Sequence, residues 1–375
     1  MCEEAGATVV LTAEQVEELG RELDAVRARI VADLGEQDRA HIYKIIKVQR
    51  AFEVAGRGLM YLGSRRPLWL AAVGALSVSK ILDNMEVGHN VLHGQYDWMR
   101  DPGVNSRDFE FDMACATDQW KHSHNFKHHT YTNIVGRDRD LGYGLFRMDE
   151  DQEWKPAHLA GPMVSFLTMV FFEWALAVYD LEPENIAKGD REWSEVKPLI
   201  RGSLHKAGRQ VLKDYLVFPA LTGPLFVKTL CGNAIANVVR NVWTYSIILC
   251  GHFPNGAHTF SDAETANETR GEWYLRQMLG SGNIDGGKLF HIMSGHLSHH
   301  IEHHLFPDIP AHRYPEISGE IRAVFERHGV PYQTGGFFRR FGSTWARVFR
   351  LALPPKPVRS KPVPGVTIHR RLGPA

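Results

Sequence analysis

The chain has 375 residues, with 43 lysines and arginines balanced by 43 acids. Zero net charge lacks the basic excess of a nucleic-acid binder. Four cysteines (Cys2, Cys115, Cys231, Cys250) without a C-x-x-C pair speak against a disulfide scaffold, a zinc ribbon or an iron–sulfur protein. A hydrophobic content of 44% excludes collagen-like and disordered classes. A mean hydropathy of −0.26 leaves room for membrane segments over only part of the chain.

Residues 1–40 hold ten acids against four arginines, which is not the pattern of a secretory signal. Thr12-Ala13-Glu14-Gln15 reads as a capping box. Behind it, Val16, Leu19, Leu23, Val26 and Ile30 recur at helical spacing. The expectation is an acidic amphipathic helix packed on the surface. Apolar stretches follow at Pro67–Leu82, at Leu159–Tyr179 (interrupted by Glu173) and between Tyr215 and Cys250. The last carries only Lys228 and Arg240 as charges and is long enough for a hairpin of two helices of about 18 residues each. Cys231-Gly232-Asn233 would make the turn, Lys228 would snorkel, and Arg240 must face a protein interior or a wet cavity. Core helices of a large soluble protein are the plainer alternative. The tail, 341–375, is basic and Pro-rich. From 354 on it holds six prolines and no acid, so it reads as extended.

Histidine is the outlier: there are 20, and 11 of them fall in three short stretches. The first is His89-x-x-x-His93, whose members share a helix face at i, i+4. The second is His124-x-x-x-His128-His129. The third is His300-x-x-His303-His304, which spans about 100° of a helix. His252 ends the last apolar segment. These nine are the candidate metal ligands. Nine imidazoles overfill one zinc, magnesium and calcium prefer oxygen, and two six-coordinate ions, best iron, fit the number and type. A di-iron carboxylate bundle needs two Glu-x-x-His pairs, and only Glu86-Val87-Gly88-His89 matches. Asp138, Asp140, His296 and Glu302 are candidates for orienting the ligating rings from outside. His41 and His369 lie outside the clusters, so their replacement by Ala should leave activity nearly unchanged. One site requires all three clusters on one side of a membrane. Three full spans between the second and third would separate them, so 159–179 lies along the interface or the pairing differs.

The boxes His89–His93, His124–His128-His129 and His300–His303-His304, with Trp120 four residues before His124 and the string Glu302-His303-His304-Leu305-Phe306-Pro307, resemble the membrane fatty acid desaturase family. The similarity covers roughly residues 40–340. It implies an all-α fold: an integral membrane bundle of about four spanning helices, with a cytosolic helical cap that carries the boxes. It divides the chain into an acidic N-terminal region at 1–40, a membrane desaturase domain at 41–340 and the tail at 341–375. It also implies a cytoplasmic active site with two iron ions and an extra ligating histidine, matched by His252. The fused cytochrome b5 motif His-Pro-Gly-Gly is missing, and only one clear apolar segment precedes the first box where the family has two.

The expected chemistry is oxygen-dependent insertion of a C=C bond into a fatty acyl chain, as acyl-CoA or acyl-lipid. An unactivated C–H bond offers no acidic proton, so a metal–oxygen oxidant is needed. With no flavin, cluster or haem motif, electrons would come from a separate donor: a ferredoxin, a flavoprotein reductase or cytochrome b5. A hydroxylase or ketolase on the same scaffold is the rival enzyme, and a membrane metal transporter or store is the rival of another class.

Overall fold

The computed structural model describes residues 9–150, 152–182, 185–186, 189, 191–254, 256–355 and 366–369. The described secondary structure is helical apart from two short parallel pairings, β1 (Val9–Thr12) with β4 (Val366–His369) and β2 (Asn283–Asp285) with β3 (Thr334–Gly336), and one isolated parallel bridge, Ile134 with Phe260. In chain order the first helices are α1 (Ala13–Asp33), α2 (Glu36–Met60) and α3 (Arg66–Leu82, carried on by π-helical Asp83–His89 and by Asn90–Leu92). Next come α4 (Thr117–Trp120, carried on by π-helical Lys121–His128 and by His129–Tyr131), α5 (Gly161–Val170) and α6 (Phe172–Tyr179). They are followed by α7 (Trp193–Val211, carried on by Leu212–Val217 and Phe218–Leu221) and α8 (Phe226–His252). Last are α9 (Arg270–Leu279), α10 (His300–Leu305), α11 (Tyr314–Arg327) and α12 (Phe337–Ala352).

Helix α1 starts at the expected capping box: Gln15 N donates to Thr12 Oγ1 at 3.2 Å, and Thr12 N donates to Gln15 Oε1 at 2.8 Å. Its apolar stripe is buried in one core with Tyr274 of α9, Leu305 of α10 and Phe325 of α11. It is therefore part of the cap over the site, not a surface addition.

Four helices, α2, α3, α7 and α8, run alongside one another, with both connecting turns at one end. Lys228 Nζ donates to Gly63 O and Ser64 O, each at 3.2 Å, which ties the α7–α8 turn to the α2–α3 turn. Lys228 thus closes the neighbouring hairpin. The α7–α8 turn is not at Cys231-Gly232-Asn233. It lies at Thr222–Leu225, where Gly223 takes φ +53°, and α8 runs unbroken through 231–233. Gly232 serves close approach: a Cβ there would come 2.5 Å from Met60 Cε. Asn233 accepts from Arg57 Nη1 at 2.8 Å and donates to Asp214 O at 2.6 Å. Small and polar residues that looked like a turn are interhelical contacts.

Among the described residues, one helix, Arg66–Leu92, is long and apolar enough to cross a membrane, and Pro156–Val170 with Phe172–Tyr179 qualifies only as a pair bent by 100°. The other bundle helices carry charges that a hydropathy count penalises but the fold neutralises. Asp214 of α7 pairs with Lys80 of α3 at 2.8 Å, and Arg240 of α8 with Glu173 at 2.6 Å. Helix α2 held no apolar segment in the sequence, yet Ile42, Ile45, Gly56 and Met60 bury one face of it.

The bend between α5 and α6 resolves the parity of the clusters. The chain turns back at Phe171, so only α7 and α8 run down and up between the second and third boxes. All three boxes then meet at the bundle end opposite the turns. Helix α12 spans Phe337–Ala352, so residues 341–352, assigned to the tail from sequence, are folded. Of the rest of that tail, 356–365 and 370–375 lie outside the described residues.

Candidate metal centre

Two of the three boxes lie on π-helical turns. His89 closes the π segment Asp83–His89, and His124 and His128 lie on Lys121–His128. Widened turns of this kind recur at functional sites. The third box is a short α-helix of which every residue, His300–Leu305, is buried.

The nine histidines converge. His89, His93, His124 and His303 each bring a ring nitrogen within 4.8 Å of the others, and His128, His252 and His304 form a second group by the same measure. His300 joins the second group, its Nε2 being 3.3 Å from His252 Nε2. His129 lies between the groups, with ring centroids 4.8 Å from His303 and 4.7 Å from His304. The Nε2 atoms of His89, His93, His124, His128, His303 and His304, both nitrogens of His129 and Nδ1 of His252 and His300 are buried without a hydrogen-bond partner. Buried polar atoms are ordinarily satisfied. Seven orphaned Nε2 atoms gathered in and between two neighbouring groups fit cations bound there.

Electrostatics agrees. Burial, then the neighbouring imidazoles, pushes His124, His129, His303 and His304 well below the usual histidine range, and His300 down to about 3. Neutral rings keep a lone pair free for a metal. His128 is the exception. Burial opposes its charge, but Asp138 and Asp140 push it up to about 9. Carboxylates that favour a proton on that ring favour a cation beside it.

Of the four expected outer partners, Asp138 and Asp140 meet a ring of the centre, while His296 and Glu302 do not. Asp138 meets His128 Nδ1 through both oxygens at 3.1 Å, and Asp140 stands 3.5 Å from the same atom. His296 turns to Glu86 Oε2 at 2.9 Å, and Glu86 also meets His41 at 2.9 Å. Glu302 accepts from Asn283 Nδ2 at 2.8 Å and from Tyr332, so it pins β2 rather than a ring. Two further partners went unread in the sequence. Asn90 Oδ1 lies 3.1 Å from His89 Nδ1, and Gln277 Oε1 lies 3.0 Å from His304 Nδ1. Asn90 adjoins the first box and was findable there. Gln277 sits on α9, far from any box, with no local signal. Trp120 stacks on His124 with a centroid distance of 4.6 Å.

A narrow pocket is lined by His89, His124, His252, His300 and His303 together with Phe111, Met113, Phe172, Leu176 and Ile248. Such a slot suits an extended apolar chain.

The fatty acid desaturase family model matches residues 67–336. Relatives from two strains of Mycobacterium tuberculosis, each named NADPH-dependent stearoyl-CoA 9-desaturase, are 46% identical over 353 residues, which is 93% of this chain and 83% of theirs. The sn-1 linoleoyl-lipid 6-desaturase of a Synechocystis species is 25% identical over 227 residues, 58% of this chain and 62% of its own. The histidine centre, the apolar slot beside it and these similarities agree: the chain belongs to the fatty acid desaturase family and is an oxidoreductase.

Proposed function

We propose that the enzyme is an oxygen-dependent acyl-CoA desaturase. It inserts a C=C bond into a saturated acyl chain, and His89, His93, His124, His128, His129, His252, His300, His303 and His304 would hold two irons. The observation that carries this reading is the convergence of nine imidazoles with orphaned nitrogens beside an apolar slot. Imidazole suits iron, and nine nitrogens leave open positions on two six-coordinate ions. When bound, the irons would supply the dioxygen-derived oxidant that an unactivated C–H bond requires. The protein's residues do the rest. Phe111, Phe172, Leu176 and Ile248 hold the chain and exclude water. Asp138 and Asp140 fix the His128 ring, as Gln277 fixes His304.

In balance, two hydrogens leave adjacent carbons, and with two electrons and two protons dioxygen becomes two waters. The electrons derive from NADPH through a separate donor, a ferredoxin, a flavoprotein reductase or cytochrome b5. The names of the mycobacterial relatives support both the CoA carrier and the reductant. Helices α2, α3, α7 and α8 cross the bilayer, within a membrane domain at 41–340, and hold the centre at the cytoplasmic face. A belt of exposed apolar residues, including Val54, Leu204, Leu216, Leu221, Val227 and Val239, supports this.

The test is gas chromatography of lipids from cells expressing the chain, with double-bond localisation, alongside elemental analysis of the purified protein. A new monoene and about two irons per chain are expected. A hydroxylated acyl product would assign oxygen rebound instead. One zinc and no iron after iron-replete expression would reject the centre.

A further inference from the structure

Helices α2 and α7 each change character at one point along their length. On α7, Lys197, Arg201, His205 and Arg209 stand exposed at i, i+4, i+8 and i+12, and Glu195 is the only acid between Trp193 and Val211. From Val211 to Leu221 every exposed residue is apolar, with Leu212 and Leu216 each 52% exposed. On α2, Lys44, Lys47 and Arg50 are exposed, and after Arg50 every exposed residue is apolar or glycine, Phe52 and Val54 being the largest.

The two changes occur at one level, because Arg50 and Arg209 line a single cleft walled by α2 and α7, together with Lys206 and Lys213. Lys206 and Lys213 are held by Glu110 and Asp112, and Arg50 by Glu53 at 3.0 Å. Among the described residues no carboxylate pairs with Lys44, Lys47, Lys197, Arg201 or Arg209. A soluble anion would neutralise these cations and leave Phe52, Val54, Leu212 and Leu216 in water. An acidic lipid covers both, its phosphate on the cations and its acyl chains on the apolar residues next to them.

We infer that the α2–α7 face recognises anionic phospholipid headgroups, with a lipid phosphate seated at the Arg50–Arg209 cleft. The inference rests on the proposed crossing of the bilayer by α2 and α7, not on the reaction. The bound lipid also bears on the second histidine box. Leu199 and Ser203, between Lys197 and His205 on α7, clamp Gln119: its Nε2 donates to Leu199 O at 2.6 Å, and Ser203 Oγ donates to its Oε1 at 2.8 Å. Gln119 precedes Trp120, which stacks on His124. A lipid that anchors α7 steadies that box.

The experiment compares phosphatidylglycerol with phosphatidylcholine of the same acyl chains, bound to the full-length protein and read by native mass spectrometry. Wild type should retain phosphatidylglycerol preferentially. A cation at an anionic lipid surface contributes about fivefold in affinity, so Arg201→Gln with Arg209→Gln should lower phosphatidylglycerol binding about 25-fold and leave phosphatidylcholine binding unchanged. Lys44→Gln with Lys47→Gln should act likewise from α2 and serves if the first variant does not fold. Arg29→Gln with Arg322→Gln, at exposed cations of the cap, should behave as wild type. Hydrogen exchange across residues 117–131 should slow when phosphatidylglycerol enters phosphatidylcholine nanodiscs, in wild type and the cap variant but not in the α7 variant. Equal binding of the two lipids by wild type, or an undiminished preference in the folded α7 variant, overturns the inference. So does displacement of the lipid by millimolar inorganic phosphate, which would make the face a site for soluble anions. A variant that keeps its lipid preference and loses only reduction by its redox donor would make the face that donor's dock, and overturns the inference too. Release of wild-type protein from membranes by alkaline carbonate would sink the bilayer crossing itself, whereas a protein that stays embedded without lipid preference sinks only the lipid face.

Discussion

His252 and His300, 48 positions apart in the sequence, face each other with their Nε2 atoms 3.3 Å apart. One ends helix α8 of the bundle and the other opens the short helix α10. The spacing is that of two ligands on one ion. His252→Gln should therefore strip metal from the second group and cut desaturation by more than the roughly 10–100-fold typical of losing an outer partner. Iron per chain and single-turnover product report it. Full iron with full activity would reduce the ligand count to eight.

Gly251 makes that approach possible. A Cβ on it would fall 2.6 Å from His300 Cγ and Nδ1. Gly251→Ala should push the His300 ring aside, and a displacement near 1 Å can cost about a hundredfold in rate. The prediction is a folded, membrane-bound variant with low turnover, checked by acyl-CoA assay against iron content. Wild-type turnover would mean that His300 moves freely.

Asp138 holds His128 with both oxygens. Asp138→Asn keeps the shape and removes the charge that favours a cation beside the ring. Metal affinity should fall about 10–100-fold, measured by competition with a chelator. Gln277→Leu, which removes a neutral partner of His304, should cost less.

His41 stands outside every histidine box, and its sequence position promised unchanged activity, with nothing said of stability. The structure gives it to Glu86, which is 1% exposed and otherwise meets His296. Replacing His41 by Ala leaves half of a buried carboxylate unsatisfied, a cost of about 1–3 kcal/mol. Thermal unfolding should register the loss. A variant as stable as wild type would show that water replaces the ring.

Eight of the nine histidines were legible because candidate ligands on one helix turn recur at fixed spacing, and His252 only from its place at the end of the last apolar segment. The capping box at Thr12 was legible because it closes within one turn. Arg240 had to face inward, since lipid would not tolerate it. What spacing could not carry was whatever depends on a second helix. Gly232 and Asn233 look like a turn until α2 lies against them. Lys80 and Asp214 look like charges unfit for a core until they pair. The 100° bend at Phe171, which lets the second and third boxes share one end, has no proline or glycine to announce it. Gln277 becomes a partner of His304 only when α9 packs beside α10. Local periodicity determined which residues could bind a metal. The packing of distant helices decided which rings meet and what orients them, because those are pairings between residues whose separation along the chain the sequence does not encode.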